Sequence, residues 1–62
     1  MDKILLYRIG DHYATFFQDT DVCRKYIDMK LLGKNYVGFE AGDLPKNIDL
    51  LTKNGNTVAL CE

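Results

Sequence analysis

Apolar runs separated by turn residues predict a chain of short strands joined by tight turns. The first run, residues 4–9, is apolar apart from one arginine and stops at a glycine. This favours a strand covered on both faces over a helix. Gly10-Asp11 then predicts a two-residue hairpin turn, since glycine accepts the positive φ of a type II′ turn. The aromatic-rich residues 12–17 suit the returning strand, although positions 16–17 also fit the first turn of a following helix.

The next segment has the spacing of an amphipathic helix. Asp19 or Thr20 is the predicted N-cap, because a short side-chain oxygen at that position can accept a free backbone N–H. Val22, Tyr26 and Met29 recur at i, i+4 and i+7 and so form one apolar stripe. We therefore predict a first helix that carries all three on its buried face.

The second half of the chain predicts two strands, a helix and a last strand. Residues 31–32 and 36–41 read as short strands around a glycine-containing turn. Asp43 is the predicted N-cap of a helix with proline in its first turn, and Asn54-Gly55 ends it. The predicted buried stripe consists of Leu44, Ile48 and Leu51. Residues 57–61 form the final strand, so the chain closes as a parallel strand–helix–strand crossover. The prediction is one α/β domain, residues 1–62, with a small mixed sheet of about five strands and two helices.

Length and charge restrict the function classes. With 62 residues the chain has no room for a nucleotide-binding fold plus a substrate domain. Its 47% hydrophobic and 27% charged residues are typical of a folded domain. Eight basic against nine acidic residues give a net charge of −1. Such a chain does not hold nucleic acid by bulk electrostatics.

The two cysteines, Cys23 and Cys61, are too few for a disulfide scaffold and are too widely spaced for a metal-ligand pair. We expect free thiols in a reducing compartment, each a small apolar side chain rather than a nucleophile. The apolar run at residues 4–7 is too short for a signal-peptide core or a membrane span. These features predict a cytoplasmic protein with no membrane contact.

Catalytic motifs are missing from the sequence. The chain contains no serine, no glycine-rich phosphate loop and a single histidine, His12. We therefore expect no enzyme activity, no cofactor, and neither a catalytic nor a metal site.

The hairpin tip carries the one local cluster with binding chemistry. His12, Tyr13 and the nearby Arg8 can stack on or hydrogen-bond to a nucleobase if the tip exposes them. The alternative is that Asp11 serves the turn, Tyr13 packs in the core and His12 is merely solvated. Exposed lysines, Lys34 among them, can meet a phosphate backbone or simply form a solvated surface.

Two segments resemble a known family. Residues 6–13, Leu-Tyr-Arg-Ile-Gly-Asp-His-Tyr, with Phe16-Phe17 and Asp19 behind them, are similar to the opening of the N-terminal, mismatch-recognition domain of the DNA mismatch repair protein MutS. The family pattern there is R-M-G-D-F-Y-E-x-F. Residues 57–62, Thr-Val-Ala-Leu-Cys-Glu, resemble the family's V-A-I-C-E after a helix-ending glycine. The order of elements between the two segments also fits.

The resemblance implies a role for the hairpin. In the family, the Phe of F-Y-E wedges beside a mispaired base and the Glu hydrogen-bonds to it, and unstacking is cheapest where pairing is already weak. The matching positions here are His12 and Ala14; imidazole can stack, but alanine offers no hydrogen bond.

The implied function is weak binding of mismatched or distorted double-stranded DNA. His12 would be the probe, with Tyr13 beside it and Arg8 and Lys34 as phosphate contacts. The alternative is a degenerate domain that serves as a protein-interaction module, with a protein partner or a parent multidomain chain.

Overall fold

The computed structural model describes residues 3–62 and contains the predicted strands and helices in the predicted order, with one 3₁₀ turn in addition. The elements are β1 (Lys3–Ile9), β2 (His12–Thr15), α1 (Gln18–Arg24), β3 (Lys30–Leu31), β4 (Val37–Glu40), a 3₁₀ turn (Ala41–Asp43), α2 (Leu44–Lys53) and β5 (Thr57–Cys61). The mixed α/β prediction of five strands and two helices is confirmed for the described residues.

The five strands form one mixed sheet in the order β3-β4-β2-β1-β5. β1, β2, β4 and β3 pair antiparallel in succession, while β5 adds to β1 in parallel. β4 and β5 therefore run in the same direction on either side of α2, as predicted. β5 pairs with β1 rather than with β4, so two strands lie between the ends of the crossover.

Both helices cover one face of this sheet. Ile4 and Leu6 alternate onto that face and are fully buried. They pack in one cluster with Cys23 of α1 and Leu51 of α2, both also fully buried. Leu5 on the opposite face is only half-buried, as is its neighbour Tyr7. The prediction that β1 is covered on both faces is therefore wrong for the second face.

The start of α1 differs from the prediction. The helix begins at Gln18 with Phe17 as its N-cap residue, not at Asp19 or Thr20. Both predicted caps have tertiary partners instead. The Asp19 carboxylate accepts the backbone N–H of Leu5 at 3.2 Å, and the Thr20 hydroxyl lies 2.9 Å from that of Thr15. These bonds tie the helix to the strands that precede it.

The end of α1 also differs. The helix stops at Arg24, because backbone bonds of the tighter i→i+3 kind follow at Lys25 and Tyr26. Tyr26 and Met29 consequently lie beyond the helix. Both still pack against the core cluster, so the apolar spacing identified core contacts but overestimated the length of the helix.

The second helix follows its prediction more closely. Asp43 occupies the N-cap position, although its side chain makes no capping bond and the 3₁₀ turn leads into the helix. Gly55 adopts φ 88°, the left-handed conformation expected after the helix end. Asn47 is an unpredicted buried position on this helix.

Candidate nucleic-acid interface at the hairpin tip

The β1–β2 hairpin ends in the predicted two-residue turn. Ile9 pairs with His12, leaving only Gly10 and Asp11 between the strands. Gly10 has φ 60°, and no other residue of the turn has positive φ. This matches the type II′ pattern, in which only the first central residue needs glycine. The Asp11 carbonyl accepts the backbone N–H of Ala41 at 2.8 Å, which fastens the turn to the end of β4.

Arg8 is committed to contacts within the hairpin. Its Nε donates to the Gly10 carbonyl at 2.6 Å and its Nη1 to the Tyr13 hydroxyl at 3.4 Å. Its guanidinium also lies 5.3 Å from the centre of the Tyr13 ring, a cation–π distance. Arg8 is exposed, but these three contacts with Gly10 and Tyr13 fix Nε and Nη1 within the hairpin. Its geometry supports a role in holding the turn.

Tyr13 is a core residue, which agrees with the packing interpretation of its position. Its ring is 3% exposed and stacks on Phe39 at 6.0 Å between ring centres. Its hydroxyl reaches the edge of the core and donates to a carboxylate oxygen of Glu62 at 3.3 Å. Tyr13 therefore links β1, β2 and the residue after β5 beneath the hairpin tip.

His12 and Arg8 project from opposite faces of the sheet. Arg8 pairs with Tyr13, so both side chains share the face that the helices cover. His12 alternates with Tyr13 and lies on the other face, half-buried next to Glu40, its cross-strand partner. Ala14 shares that face but is fully buried beside Tyr7 and Gly38, its cross-strand partners. A ligand at the His12 face would thus find no polar group at position 14.

Acidic side chains surround this end of the sheet. Asp11 stands in the turn, Glu40 beside His12, and Glu62 beside the Tyr13 hydroxyl, and all three residues are exposed. Carboxylates at such positions repel phosphate. The local field therefore opposes tight binding to a duplex.

Lys34 lies at the opposite end of the sheet. It sits in the turn before β4, whose first residue pairs with Thr15, whereas the last residue of β4 pairs with His12. Those two pairs are three residues apart, or about 10 Å along the strand. The structure therefore brings Arg8 and Tyr13 together, places His12 on the reverse face at the same tip, and leaves Lys34 apart.

The sequence does not indicate that Glu62 accepts a hydrogen bond from the Tyr13 hydroxyl, because the two residues are 49 positions apart. Cys23 is the small buried side chain that the sequence predicts. Burial, and to a lesser extent the nearby Asp19 carboxylate, raises the pKa of the Cys23 thiol to about 11. Cys61 is a half-buried free thiol.

The described part of the chain shows neither a cluster of metal-ligating side chains nor a helix that could span a membrane. Within residues 3–62, no group of three or more His, Cys, Asp or Glu side chains is placed to hold a metal ion. Neither helix in that range is long and apolar enough to cross a membrane.

Comparison with known proteins gives a consistent result. The sequence model of the family described as MutS domain I matches residues 1–62. The chain is 34% identical over 71 residues to the DNA mismatch repair protein MutS of Caldanaerobacter subterraneus and 36% identical over 69 residues to that of Lachnoclostridium phytofermentans. Each alignment covers 98% of this chain. The chain spans only about 8% of the length of the Caldanaerobacter relative.

The family match covers every residue, and the mixed sheet with its Gly-Asp hairpin is the fold that the sequence resemblance implied. The chain belongs to the MutS domain I family, whose members form part of DNA mismatch repair proteins.

Proposed function

We propose that this domain binds double-stranded DNA through the tip of the β1–β2 hairpin, weakly on its own and with a preference for mismatched or distorted sites. Membership of the MutS domain I family supports a role in DNA mismatch repair. The observation that carries it is the hairpin itself: a type II′ turn, fastened by Arg8 and by the Asp11–Ala41 bond, presents His12 beside it.

His12 is the contacting group in this proposal. Its imidazole is planar and can stack at a base step that mispairing has already weakened. Arg8 and Tyr13 hold the turn in position in this proposal, since Nε and Nη1 of Arg8 and the Tyr13 hydroxyl are paired internally. Lys34 lies at the other end of the sheet and so does not touch the same base step as His12, and its contact with a phosphate stays a prediction. The proposal includes no catalysis.

Weakness follows from the surroundings of the tip. The three carboxylates at this end of the sheet oppose phosphate, and the buried Ala14 supplies no second contact to the mispaired base. We expect modest discrimination and a shallow salt dependence, because few phosphates would be neutralised.

Fluorescence anisotropy with labelled duplexes tests the proposal. A duplex with one G·T mismatch and its fully paired counterpart are titrated at low salt with the wild-type chain, His12→Ala and His12→Phe. Gln18→Ala, an exposed position at the start of α1, is the control. We expect His12→Ala to weaken binding to the mismatch, and His12→Phe to strengthen it because phenyl adds apolar area.

Three results would each contradict a different part of the proposal. No binding at about 500 μM protein would rule out a useful intrinsic affinity. Equal binding by wild type and His12→Ala would remove His12 from the interface. Equal affinity for both duplexes would leave a nonspecific DNA-binding domain.

A second candidate function is a protein-interaction module. The specific observation in its favour is the fully buried Ala14 at the position where the family places its hydrogen-bonding Glu. Partner binding that is unchanged by His12→Ala, in a chain that does not bind duplex DNA, would support this candidate instead.

A further inference from the structure

A concave surface lies between α1 and the edge strand β3, at the end of the sheet away from the hairpin tip. This groove has a volume of about 360 Å³. Its lining residues are Phe17, Thr20, Asp21, Arg24, Leu31, Lys34, Asn35, Tyr36 and Val37. We call it the Phe17 groove.

The two most exposed large apolar side chains of the described residues both line this groove. Phe17 is 87% exposed and Leu31 is 71% exposed, whereas Ile9 and Leu60 are 40% and 43% exposed. Single exposed apolar residues are ordinary on protein surfaces. Two that line the same concavity form an anchor site for an apolar side chain of a partner.

Phe17 is held in this orientation by an unusual backbone. It has φ 54° and ψ −133°, and it is the only non-glycine residue of positive φ in residues 3–62. Its carbonyl accepts the backbone N–H of Thr20 at 3.1 Å, and the Thr20 hydroxyl is bonded to Thr15. A strained conformation that its neighbours enforce points to a function for the side chain it presents.

The charge and edges of the groove indicate what fits there. Arg24 and Lys34 are exposed on its walls against one carboxylate, Asp21, in a chain whose net charge is −1. Neither cation forms an ion pair with another residue of the described part. β3 is an edge strand, paired only with β4, so its outer backbone groups are open to an added strand.

We propose that the Phe17 groove binds an extended, acidic peptide segment of a partner protein. An apolar side chain of the segment packs between Phe17 and Leu31, its carboxylates meet Arg24 and Lys34, and its backbone pairs with the edge of β3. The proposal goes beyond DNA binding at the hairpin tip. It gives the second candidate function a specific surface, and it stands or falls independently of the duplex experiment.

A peptide is favoured over a nucleic acid by the composition of the groove. Two cations opposed by Asp21 offer little to a phosphate backbone, which draws most of its affinity from several such contacts. Leu31 and the open strand edge, by contrast, match the alternating side chains and backbone of an extended peptide.

The test is anisotropy of a fluorescein-labelled heptapeptide with a Leu-Val-Leu centre flanked by two acidic residues on each side. A second peptide carries lysine in place of every acidic residue, and a labelled single-stranded oligothymidylate forms the third arm. The 62-residue chain is compared with Phe17→Gly, with Arg24→Gln/Lys34→Gln, and with Lys46→Gln, an exposed cation that does not line the groove.

We expect the acidic peptide alone to bind, with at least a tenfold loss in Phe17→Gly, a several-fold loss in the double variant, and no change in Lys46→Gln. Glycine suits the backbone at position 17, so Phe17→Gly removes the ring without threatening the fold. Circular dichroism of each variant verifies this. Absence of peptide binding at about 1 mM, unchanged binding by Phe17→Gly, or binding of the oligothymidylate alone would overturn the proposal.

Discussion

The strained backbone at Phe17 leads to a quantitative prediction about stability. Replacing a large aromatic residue by glycine usually destabilises a protein, because the chain loses packing and the unfolded state gains freedom. At this position we expect the opposite. Phe17 has φ 54° and ψ −133°, a region that side chains with a Cβ occupy only under strain but glycine accepts freely.

The expected magnitude follows from three terms. Relief of strain contributes roughly 1–3 kcal/mol. The greater freedom of glycine in the unfolded chain offsets about 0.5–1 kcal/mol of it. Loss of packing removes only a few tenths of a kcal/mol, since the side chain is 87% exposed and full burial of Phe is worth about 1.5–3 kcal/mol. The net expectation for Phe17→Gly is a gain of about 1 kcal/mol over wild type.

Phe17→Ala is the matched control, because it loses the ring but keeps a Cβ and hence the strain. We expect it to be slightly less stable than wild type. Thermal unfolding followed by circular dichroism measures the difference, and about 1 kcal/mol corresponds to roughly 4–8 °C in a domain of this size. If Phe17→Gly melts at or below the temperature of Phe17→Ala, the argument from strain is refuted.

Four further predictions concern packing, thiol labelling, the pH dependence of stability and the hairpin. Gly38→Ala should lower the free energy of unfolding by about 1–3 kcal/mol, because the added Cβ would meet the Tyr13 carbonyl oxygen. Gly42→Ala is the control, because the space around Gly42 is open, and its denaturant midpoint should change little. At pH 8 a disulfide reagent should label Cys61 readily and Cys23 only through opening of the fold, because burial raises the pKa of Cys23 to about 11; comparable rates would contradict this. Because the pKa of Cys23 is raised in the folded state, the contribution of the protonated thiol to stability is complete below pH 9.0 and is lost as the pH rises towards about 11. Unfolding of wild type and of Cys23→Ala across this pH range measures that loss. Tyr13→Phe removes both hydrogen bonds of the hydroxyl, at 3.3 and 3.4 Å, and should lower the free energy of unfolding by about 1 kcal/mol. Amide exchange at the turn should become faster, and unchanged exchange would show that the hydroxyl does not hold the hairpin.

Local chemistry explains which elements were predictable. The Gly10-Asp11 turn and the Gly55 helix end each rest on a conformation that glycine accepts best, so a dipeptide was enough to locate them. The second helix has proline in its first turn, where the fixed φ and the missing N–H of proline suit a helix start. The predicted start of this helix was therefore correct.

Contacts distant in sequence explain what was not predictable. Asp19 has the chemistry of a helix cap, but its carboxylate is used 14 residues away at Leu5. The cap position falls instead on Phe17, whose conformation no propensity favours. The apolar spacing past Arg24 marked residues that pack on the core, yet spacing alone does not distinguish a continuing helix from a turn that delivers the same contacts.

The candidate site was predictable in composition but not in arrangement. Residue types at the hairpin identified His12, Tyr13 and Arg8 as one cluster. Once the strand register is known, alternation places His12 on one face and the other two on the face that the helices cover. In our proposal the roles therefore divide into one DNA-contacting residue, His12, and two residues that hold the turn, Arg8 and Tyr13.

The most direct test of the central claim is an NMR titration of the ¹⁵N-labelled chain with a duplex that carries one G·T mismatch, at low salt. The account predicts amide shift changes concentrated at residues 10–13 and at Ala41, whose N–H is bonded to the turn, and smaller changes with a fully paired duplex. Changes confined to the Phe17 groove, or none at about 500 μM duplex, would contradict DNA binding by the hairpin tip.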